Sequence, residues 1–577
     1  MEKKNEKKKK IIWSSACALF AVFTIIGLIK GLFVGLDVDE SSSVAMAYRL
    51  VTGDKLILDM WEPNQFSAFL PALFLYPFYK LTGSGDYSVL YLRFVGLFLH
   101  FLVGIPLFIS SKKKIGVKPA ILLFIVHLNF LSRWITSPEF TLMHYWCRVL
   151  IFIILLECEE KNNFILYFMA GILFAVSVFC CPSVVLIFPV YVIALVLRKK
   201  HSGILPFALG TVCLNAFIAV KILLNVPLSK LPFYISYIHK DFSDTSWGLA
   251  NKAGVYLDQI KRWGIEMLIA FVCALIVMST YVATKNVVDK SKMSIPSCIT
   301  IGLFTIAGFL SIKTLSGYIF DNQNQFYLTV RYIAYLIGVL FIVFQEYKKN
   351  EPFFLYGIIP AIASFPAVLL IADSDPDTLL SILFPSLIAG AYSAGIKYIK
   401  EQKYLFERSV VAVSFTLFLA CIFVCRIAFI RVNGCPPVTI TAKLDKVENG
   451  AAAGIYVLKD QADAWNDSYD VIKSIVDSDE NVLYIGQEQL FYVTFVDKVN
   501  VPSVQGTTVF NEMYSKYYEV YPGKRPHTVV IDASFGVNPA YYYSDENEFI
   551  YKWMTDNKMT NEIANTGYYK ILSINDK

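Results

Sequence analysis

Long apolar segments separated by short polar ones repeat along most of this 577-residue chain. Many of them have the roughly 17–25 residues that a helix needs to cross about 30 Å of hydrocarbon. Their lengths and flanking residues predict about 13 membrane spans. These lie near residues 11–34, 88–110, 118–135, 140–156, 164–180, 183–197, 204–224, 264–284, 295–312, 327–345, 353–371, 379–396 and 409–430.

The composition supports a polytopic α-helical membrane protein. Hydrophobic residues make up 56% of the chain and aromatic residues 15%, which is more apolar than a soluble domain. The net charge of +6 comes largely from the basic segment 1–10, so it does not indicate a nucleic-acid partner. The apolar segment 11–34 is too long for a signal peptide and shows no small-residue cleavage pattern. We therefore expect an uncleaved first span with residues 1–10 in the cytoplasm.

Basic residues test this topology. If successive spans cross the membrane in opposite directions, the loops on one side contain the N-terminal lysines and five further basic clusters. The loops on the other side are poorer in Lys and Arg, apart from the loop around 225–262. This asymmetry follows the positive-inside rule. An odd number of spans then places the C-terminus outside the cell. The short connection Cys181-Pro182 is the weakest point, because one span more or fewer there would invert everything that follows.

The composition changes after the last span. We expect a membrane domain over residues 11–435 and a separate α/β domain of about 140 residues over 436–577, which is long enough for its own core. By the topology above, this second domain is extracytoplasmic. All 11 cysteines fall in or beside the spans, so no disulfide framework is indicated. The predicted strands are Gly454–Leu458, Val482–Ile485, Thr528–Ile531 and Tyr568–Leu572, and the predicted helices are Ala462–Val476 and Glu546–Asn557.

The first extracytoplasmic loop, residues 36–87, is the most unusual segment. It begins with three carboxylates, Asp37, Asp39 and Glu40, beside the first span, where charged groups are costly to keep. One helix is expected over Ser41–Val51, ending at Gly53. A second helix-like piece over 65–81 is apolar and contains two prolines, and we expect it to lie along the membrane surface.

This loop resembles that of the GT-C glycosyltransferase superfamily, in particular the branch of protein O-mannosyltransferases and lipid A aminoarabinose transferases. The resemblance rests on residues 39–54, on Asp59-Met60-Trp61-Glu62-Pro63 and on Tyr91-Leu92-Arg93-Phe94. It implies two helices along the membrane, about 11–13 spans, and a sugar donor attached to a polyprenyl phosphate. Relatives often have His-Pro-Pro where this chain has Glu62-Pro63-Asn64.

In such a reaction polyprenyl phosphate is already a good leaving group, so the enzyme chiefly needs a base for the acceptor nucleophile. We expect Asp39 to be that base and Glu40 to orient it or bind a metal. The resemblance also implies a second acid at the start of the fourth span, and Glu139 matches that position. Asp37, Asp39 and Glu139 are the candidate ligands if a divalent cation is needed. The alternative for Asp39 is a helix cap, because acids favour helix N-termini.

Arginines are the candidates for the donor phosphate, because a guanidinium can bind phosphate in a bidentate manner and stabilise the charge that develops on it. We expect Arg331, inside the tenth span, and Arg93, at the mouth of the second, to fill this role. Arg93 can instead pair with Asp54 or Asp59 as a structural residue, and Arg49 can hold the acidic cluster in place.

Taken together, these features predict an inverting glycosyltransferase of the cell membrane. Its partners would be a polyprenyl-phosphate-linked sugar, membrane lipid and a cell-envelope glycan, lipid or protein acceptor. The alternatives are a transporter or flippase of lipid-linked glycan precursors and a non-catalytic envelope scaffold. The chain lacks the inverted internal repeat of many transporters. It also contains no Walker sequence, no Gly-x-Gly-x-x-Gly after a strand, no Cys-x-x-Cys and no His-Glu-x-x-His.

Overall fold

The computed structural model describes residues 2–62, 64–129, 131, 135–238, 249–288, 295–320, 351–371, 405–432, 435–439, 441–476, 481–486, 488–504, 511–532, 554–559 and 561–574. Helices dominate these ranges up to residue 428. They are α1 (Glu2–Phe33), α2 (Val38–Thr52), α3 (Phe69–Thr82), α4 (Ser88–Ile115), α5 (Val117–Asn129), α6 (Phe140–Cys158), α7 (Phe164–Cys180), α8 (Phe188–Leu197), α9 (Ile204–Leu223), α10 (Leu231–Ile238), α11 (Leu249–Val288), α12 (Ile295–Phe320), α13 (Ile359–Ile371) and α14 (Leu405–Ala428).

The helices agree with a multi-pass membrane protein. Eleven of the 13 predicted spans coincide with helices, and the predicted spans 327–345 and 379–396 lie outside the described residues. Among the described residues, six helices are long and apolar enough to cross a membrane, and five further apolar helices are shorter. The six are Ser88–Lys114, Phe140–Cys158, His201–Leu223, Met267–Thr284, Ile295–Lys313 and Leu405–Ala428.

Both predicted helices of the first loop are present. Gly35, with a φ of 83°, allows the sharp turn from α1 into α2 because glycine adopts this left-handed conformation without strain. Helix α2 ends at Gly53, which has a φ of 108° and donates its N–H to the Arg49 carbonyl, as the sequence predicts. A 3₁₀ turn at Gln65–Ala68 then leads into α3.

Residues 441–574, called here the C-terminal region, contain strands and helices in alternation. Strands β5 (Val482–Ile485) and β6 (Thr528–Asp532) are parallel neighbours, and β8 (Tyr569–Ser573) pairs antiparallel with β6 and with β7 (Asn561–Asn565). Every residue of β5 and β6 is buried. The other strands and α-helices of the described residues after 428 are β1 (Phe429–Val432), β2 (Cys435–Thr439), β3 (Leu444–Lys446), β4 (Tyr456–Leu458), α15 (Lys459–Val476), α16 (Leu490–Phe495) and α17 (Asn511–Val520).

The predicted strands of this region match β4, β5, β6 and β8, and the first predicted helix matches α15. Most of the second predicted helix, Glu546–Asn557, lies outside the described residues. The sequence did not reveal β3, β7, α16 or α17, which are short or largely polar elements.

The apolar core divides into two clusters. One fills the bundle of apolar helices and includes Phe152, Phe174 and Phe418. The other joins the first loop to the C-terminal region, since Val44 and Trp61 belong to the same cluster as Tyr484. The first loop is therefore packed into a common core with residues that follow it by more than 400 positions.

Candidate active site in the first loop

The three carboxylates of the first loop occupy different environments. Asp37 is the N-cap of α2, with an extended backbone, and its Oδ1 accepts a hydrogen bond from the Asp39 N–H at 3.0 Å. Asp37 is 2% exposed and Glu40 is fully buried, whereas Asp39 keeps partial exposure in the first turn of the helix. The sequence placed the helix start at Ser41 with Asp39 as the alternative cap. The structure instead begins the helix at Val38, so the capping acid is Asp37.

Glu40 forms a two-point ion pair with Arg93 of α4. The Arg93 Nε and Nη2 atoms lie 2.7 and 2.6 Å from the two carboxylate oxygens, and both side chains are buried. Arg93 also donates to the carbonyl oxygens of Leu32 at 3.1 Å and Gly35 at 2.7 Å. Burial raises the pKa of Glu40, and the positive charge of Arg93 opposes that rise. Of the two expectations for Arg93, the structure places it in a structural ion pair, but with Glu40 rather than Asp54 or Asp59.

The segment before α6 brings Glu139 to the same part of the molecule. The Thr136 hydroxyl donates to the Arg93 carbonyl at 3.0 Å, and Ser137 hydrogen-bonds the Glu40 side chain. This segment packs so closely on α4 that a Cβ added to Gly96 would lie 1.7 Å from the Thr136 carbonyl oxygen. Two of the predicted catalytic acids are thus linked through one short stretch of chain.

Glu139 itself is the N-cap of α6. Its Oε2 accepts from the Thr141 N–H at 2.7 Å, its Oε1 accepts from the Leu142 N–H at 2.8 Å, and the Thr141 hydroxyl also donates to it. Glu139 is 2% exposed. The capping role that the sequence offered as an alternative for Asp39 is therefore found here and at Asp37.

The proposed cation ligands do not form a ligand set. Within the described ranges, which include Asp37, Asp39 and Glu139, no group of three or more His, Cys, Asp and Glu side chains is arranged to hold a metal ion. Asp37 and Glu139 instead cap helices α2 and α6. Arg331, the other candidate for the donor phosphate, lies outside the described residues.

Arg49 is the centre of a second buried polar cluster. Its Nε lies 2.6 Å from Asp54 Oδ2, its Nη1 lies 2.9 Å from Glu62 Oε1, and its Nη2 donates to the Asp59 carbonyl at 2.7 Å. Burial would lower the pKa of Arg49, but the carboxylates of Glu62 and Asp54 outweigh it and keep the pKa above its ordinary value. The sequence suggested that Arg49 steadies the acidic cluster at 37–40. The structure shows that it binds the later acids of the loop.

The basic residues buried among the spans include His144, Arg148 and Arg426. His144 Nδ1 is 2.9 Å from the Ser177 hydroxyl, and Arg148 Nη2 donates to the Ser364 hydroxyl at 3.1 Å. Tyr145, which follows His144 in α6, contacts a different neighbour, since its hydroxyl lies 2.7 Å from His127 Nδ1. Sequence reasoning missed Arg426, whose Nη1 donates to the Asn129 carbonyl at 3.3 Å. A single arginine in the apolar run 409–430 was the available signal.

Comparison with known proteins finds similarity to solved structures. No family model matches the chain, and no curated protein sequence matches it. ArnT from Cupriavidus metallidurans in the apo state is 12% identical over 97% of this chain and 98% of its own, with a TM-score of 0.42. The same protein bound to undecaprenyl phosphate has the same identity and coverage and a TM-score of 0.40.

The third structure is the archaeal oligosaccharyltransferase AglB from Archaeoglobus fulgidus, in complex with an inhibitory peptide and a dolichol-phosphate. It is 10% identical over 98% of this chain and 75% of its own, with a TM-score of 0.39. These similarities to solved structures of ArnT and AglB extend over nearly the whole length of the chain.

Proposed function

We propose that this protein is an inverting glycosyltransferase that moves a sugar from a polyprenyl-phosphate donor to a cell-envelope acceptor at the extracytoplasmic face of the membrane. The observation that supports this best is that the three first-loop acids differ in their contacts and in their exposure. Asp37 caps α2 and Glu40 forms the ion pair with Arg93. Asp39, which lies between them in the sequence, remains partly exposed. A carboxylate held in place by two buried neighbours is suited to act as a general base.

In the proposed reaction, Asp39 takes the proton from the acceptor nucleophile. The nucleophile forms a bond to the anomeric carbon of the donor sugar as the bond from that carbon to the phosphate oxygen breaks. The electron pair of that bond leaves with polyprenyl phosphate, and attack from the opposite face inverts the anomeric configuration. Arg331 would stabilise the charge on the departing phosphate.

The other predicted residues take supporting roles in this proposal. Glu40 orients the first turn of α2 through its ion pair with Arg93, so both become positioning residues. Glu139 is the second acid, and its contacts with α6 fix the segment beside Glu40. The N-terminus would be cytoplasmic and the C-terminal region extracellular.

The test is the Asp39→Asn variant in purified protein. Activity would be measured with a panel of short-chain polyprenyl-phosphate hexoses, pentoses and amino-pentoses, using envelope lipid, glycan and protein fractions as acceptors. We expect transfer to fall about 100- to 10,000-fold because the general base is lost. The matched control is Asp86→Asn, which changes another partly exposed aspartate of the same loop and should keep full activity.

Full activity of Asp39→Asn would overturn the assignment of the base. Movement of a lipid-linked glycan across reconstituted vesicles, without any transfer product from the wild type, would instead support a transporter.

A further inference from the structure

Helix α2 is enclosed on all sides. Ten consecutive residues, Glu40–Arg49, are buried. A helix that packs on one neighbour keeps a solvent-facing stripe, so this pattern requires cover on both faces. The first-loop helix α3, the start of α4 and the C-terminal region together supply this cover, because all of them share one core cluster with α2.

Direct hydrogen bonds tie α2 to the C-terminal region along its length. Just before the helix, the Gly35 N–H donates to the Tyr456 carbonyl at 2.8 Å. Near its end, the Tyr48 hydroxyl donates to the Val496 carbonyl at 3.0 Å. Hydrogen bonds at both ends restrain sliding and rotation of the helix, which packing alone restrains less.

The strongest attachment is the Arg49 cluster. Besides its three first-loop acceptors, the Arg49 Nη1 atom reaches the Pro502 carbonyl at 3.4 Å. Glu62 Oε1 accepts from both Arg49 Nη1 at 2.9 Å and the Val504 N–H at 3.0 Å. The neighbouring Trp61 N–H donates to the Pro502 carbonyl at 2.8 Å. A single carboxylate oxygen thus joins α2 to a backbone segment of the C-terminal region.

We propose that the C-terminal region is a positioning element of the active site, which holds α2 and hence Asp39 in place through the contacts of Arg49 and Glu62 with residues 502–504. This inference rests on the proposed role of Asp39 in catalysis. It assigns Glu62 and Arg49 as positioning residues, since both are buried and neither needs to contact substrate. Charge-assisted hydrogen bonds of this kind are directional, so their loss should change the placement of α2.

Two substitutions of Glu62 separate positioning from simple filling of space. In Glu62→Gln, the amide oxygen can still accept from Arg49 and from the Val504 N–H. In Glu62→Ala both hydrogen bonds are lost. We expect Glu62→Ala to lower kcat about 10- to 100-fold with the KM for the donor nearly unchanged, because a small displacement of a catalytic group is enough for such a loss. Glu62→Gln should keep at least half of the wild-type kcat.

Hydrogen exchange of the intact protein gives a readout that needs no substrate. Amides of α2 in Glu62→Ala should exchange about 10-fold faster than in the wild type, because local opening becomes easier, while amides of α6 should be unchanged. The control is Lys524→Gln, which removes an ion pair with Asp59 at 2.8 Å between the same two parts of the protein but on a more exposed site. That variant should leave both α2 exchange and kcat unchanged.

The inference is overturned if Glu62→Ala keeps the wild-type kcat, or if its α2 amides exchange at the wild-type rate. It is also overturned if Glu62→Gln is as impaired as Glu62→Ala, since the charge and not the hydrogen bonds would then matter. Asp39→Asn distinguishes the two proposals. An inactive Asp39→Asn beside a fully active Glu62→Ala removes only the positioning role, whereas an active Asp39→Asn removes the proposed base.

Discussion

Glu40 and Arg93 meet in a buried two-point ion pair, at 2.7 and 2.6 Å, although they lie 53 residues apart in the chain. The pair connects the first turn of α2 to α4, and through Ser137 it also connects to the segment that ends in Glu139. The guanidinium of Arg93 therefore links the first-loop acids to the apolar helices.

Breaking this pair should be costly. In Glu40→Ala, Arg93 remains buried without its carboxylate, and we expect a loss of about 3–5 kcal/mol in the free energy of unfolding. The comparison is Glu157→Ala, which removes a partly exposed pair with Lys113 and should cost about 0–1 kcal/mol. Unfolding in detergent micelles by denaturant would measure both, and equal losses would contradict the structural role of the Glu40 pair.

Asp37 can be tested as a cap against its predicted role as a metal ligand. Asparagine caps helices as well as aspartate, so Asp37→Asn should change stability little, whereas Asp37→Ala should cost about 1 kcal/mol. A cap predicts that the Asn variant keeps its activity with and without added divalent cation. Loss of activity in Asp37→Asn, restored by excess cation, would instead favour the ligand role.

Gly96 tests the contact between α4 and the segment before α6. In Gly96→Ala the new Cβ would lie 1.7 Å from the Thr136 carbonyl oxygen, so the backbone of that segment must move. We expect a loss of about 1–3 kcal/mol in the free energy of unfolding and reduced transfer, because Glu139 moves with the segment. The control is Gly254→Ala in α11, where no atom lies within 4 Å of the added carbon. Wild-type behaviour of Gly96→Ala would show that the packing here is looser than described.

Glu62 should make stability depend on pH. Burial raises its pKa above the ordinary value of 4.5, against the opposing effects of Arg49 and the Val504 N–H. A carboxyl with a raised pKa binds its proton more tightly in the folded state than in the unfolded state. It therefore disfavours folding above its folded pKa, and this penalty disappears as the pH falls through that value toward 4.5.

The wild type should accordingly gain stability relative to Glu62→Gln as the pH is lowered from 7 toward 4.5, because glutamine has no proton to bind. Thermal unfolding of the two proteins across this range would measure the difference. A difference that stays constant with pH would show that Glu62 has an unshifted pKa.

The sequence predicted those features that depend on local composition. Apolar length located eleven helices that match predicted spans, and Gly53 correctly marked the end of α2. The start of α2 was placed three residues too late, because any of the acids at 37, 39 and 40 can cap a helix and only the backbone conformation distinguishes them. Asp37 holds that extended conformation, and the helix consequently starts three residues before Ser41.

The partners of buried charges could not be predicted. Arg93 was expected to bind phosphate, and nothing in the residues around it shows that Glu40 comes within 2.6 Å. The contact of Glu62 with Val504 is even harder to predict from the sequence, because its donor is a backbone N–H, which every residue except proline has. Such contacts depend on how segments that are distant in the sequence pack together, and local residue patterns do not predict this packing.

The enclosure of α2 also has a consequence for the order in which this protein is made. The helix is complete once residue 52 has been synthesised, but the groups that cover it include Tyr456, Val496, Pro502 and Val504. Because chains are synthesised from the N-terminus, the residues that cover α2 are made only after all the spans. Part of the surface of α2 therefore stays uncovered until then. A premature stop shortly before residue 502 would leave every predicted catalytic residue in the product and still remove the support of the first loop. Truncations shortly before residue 502 should therefore reduce transfer activity as substitutions in the active site do.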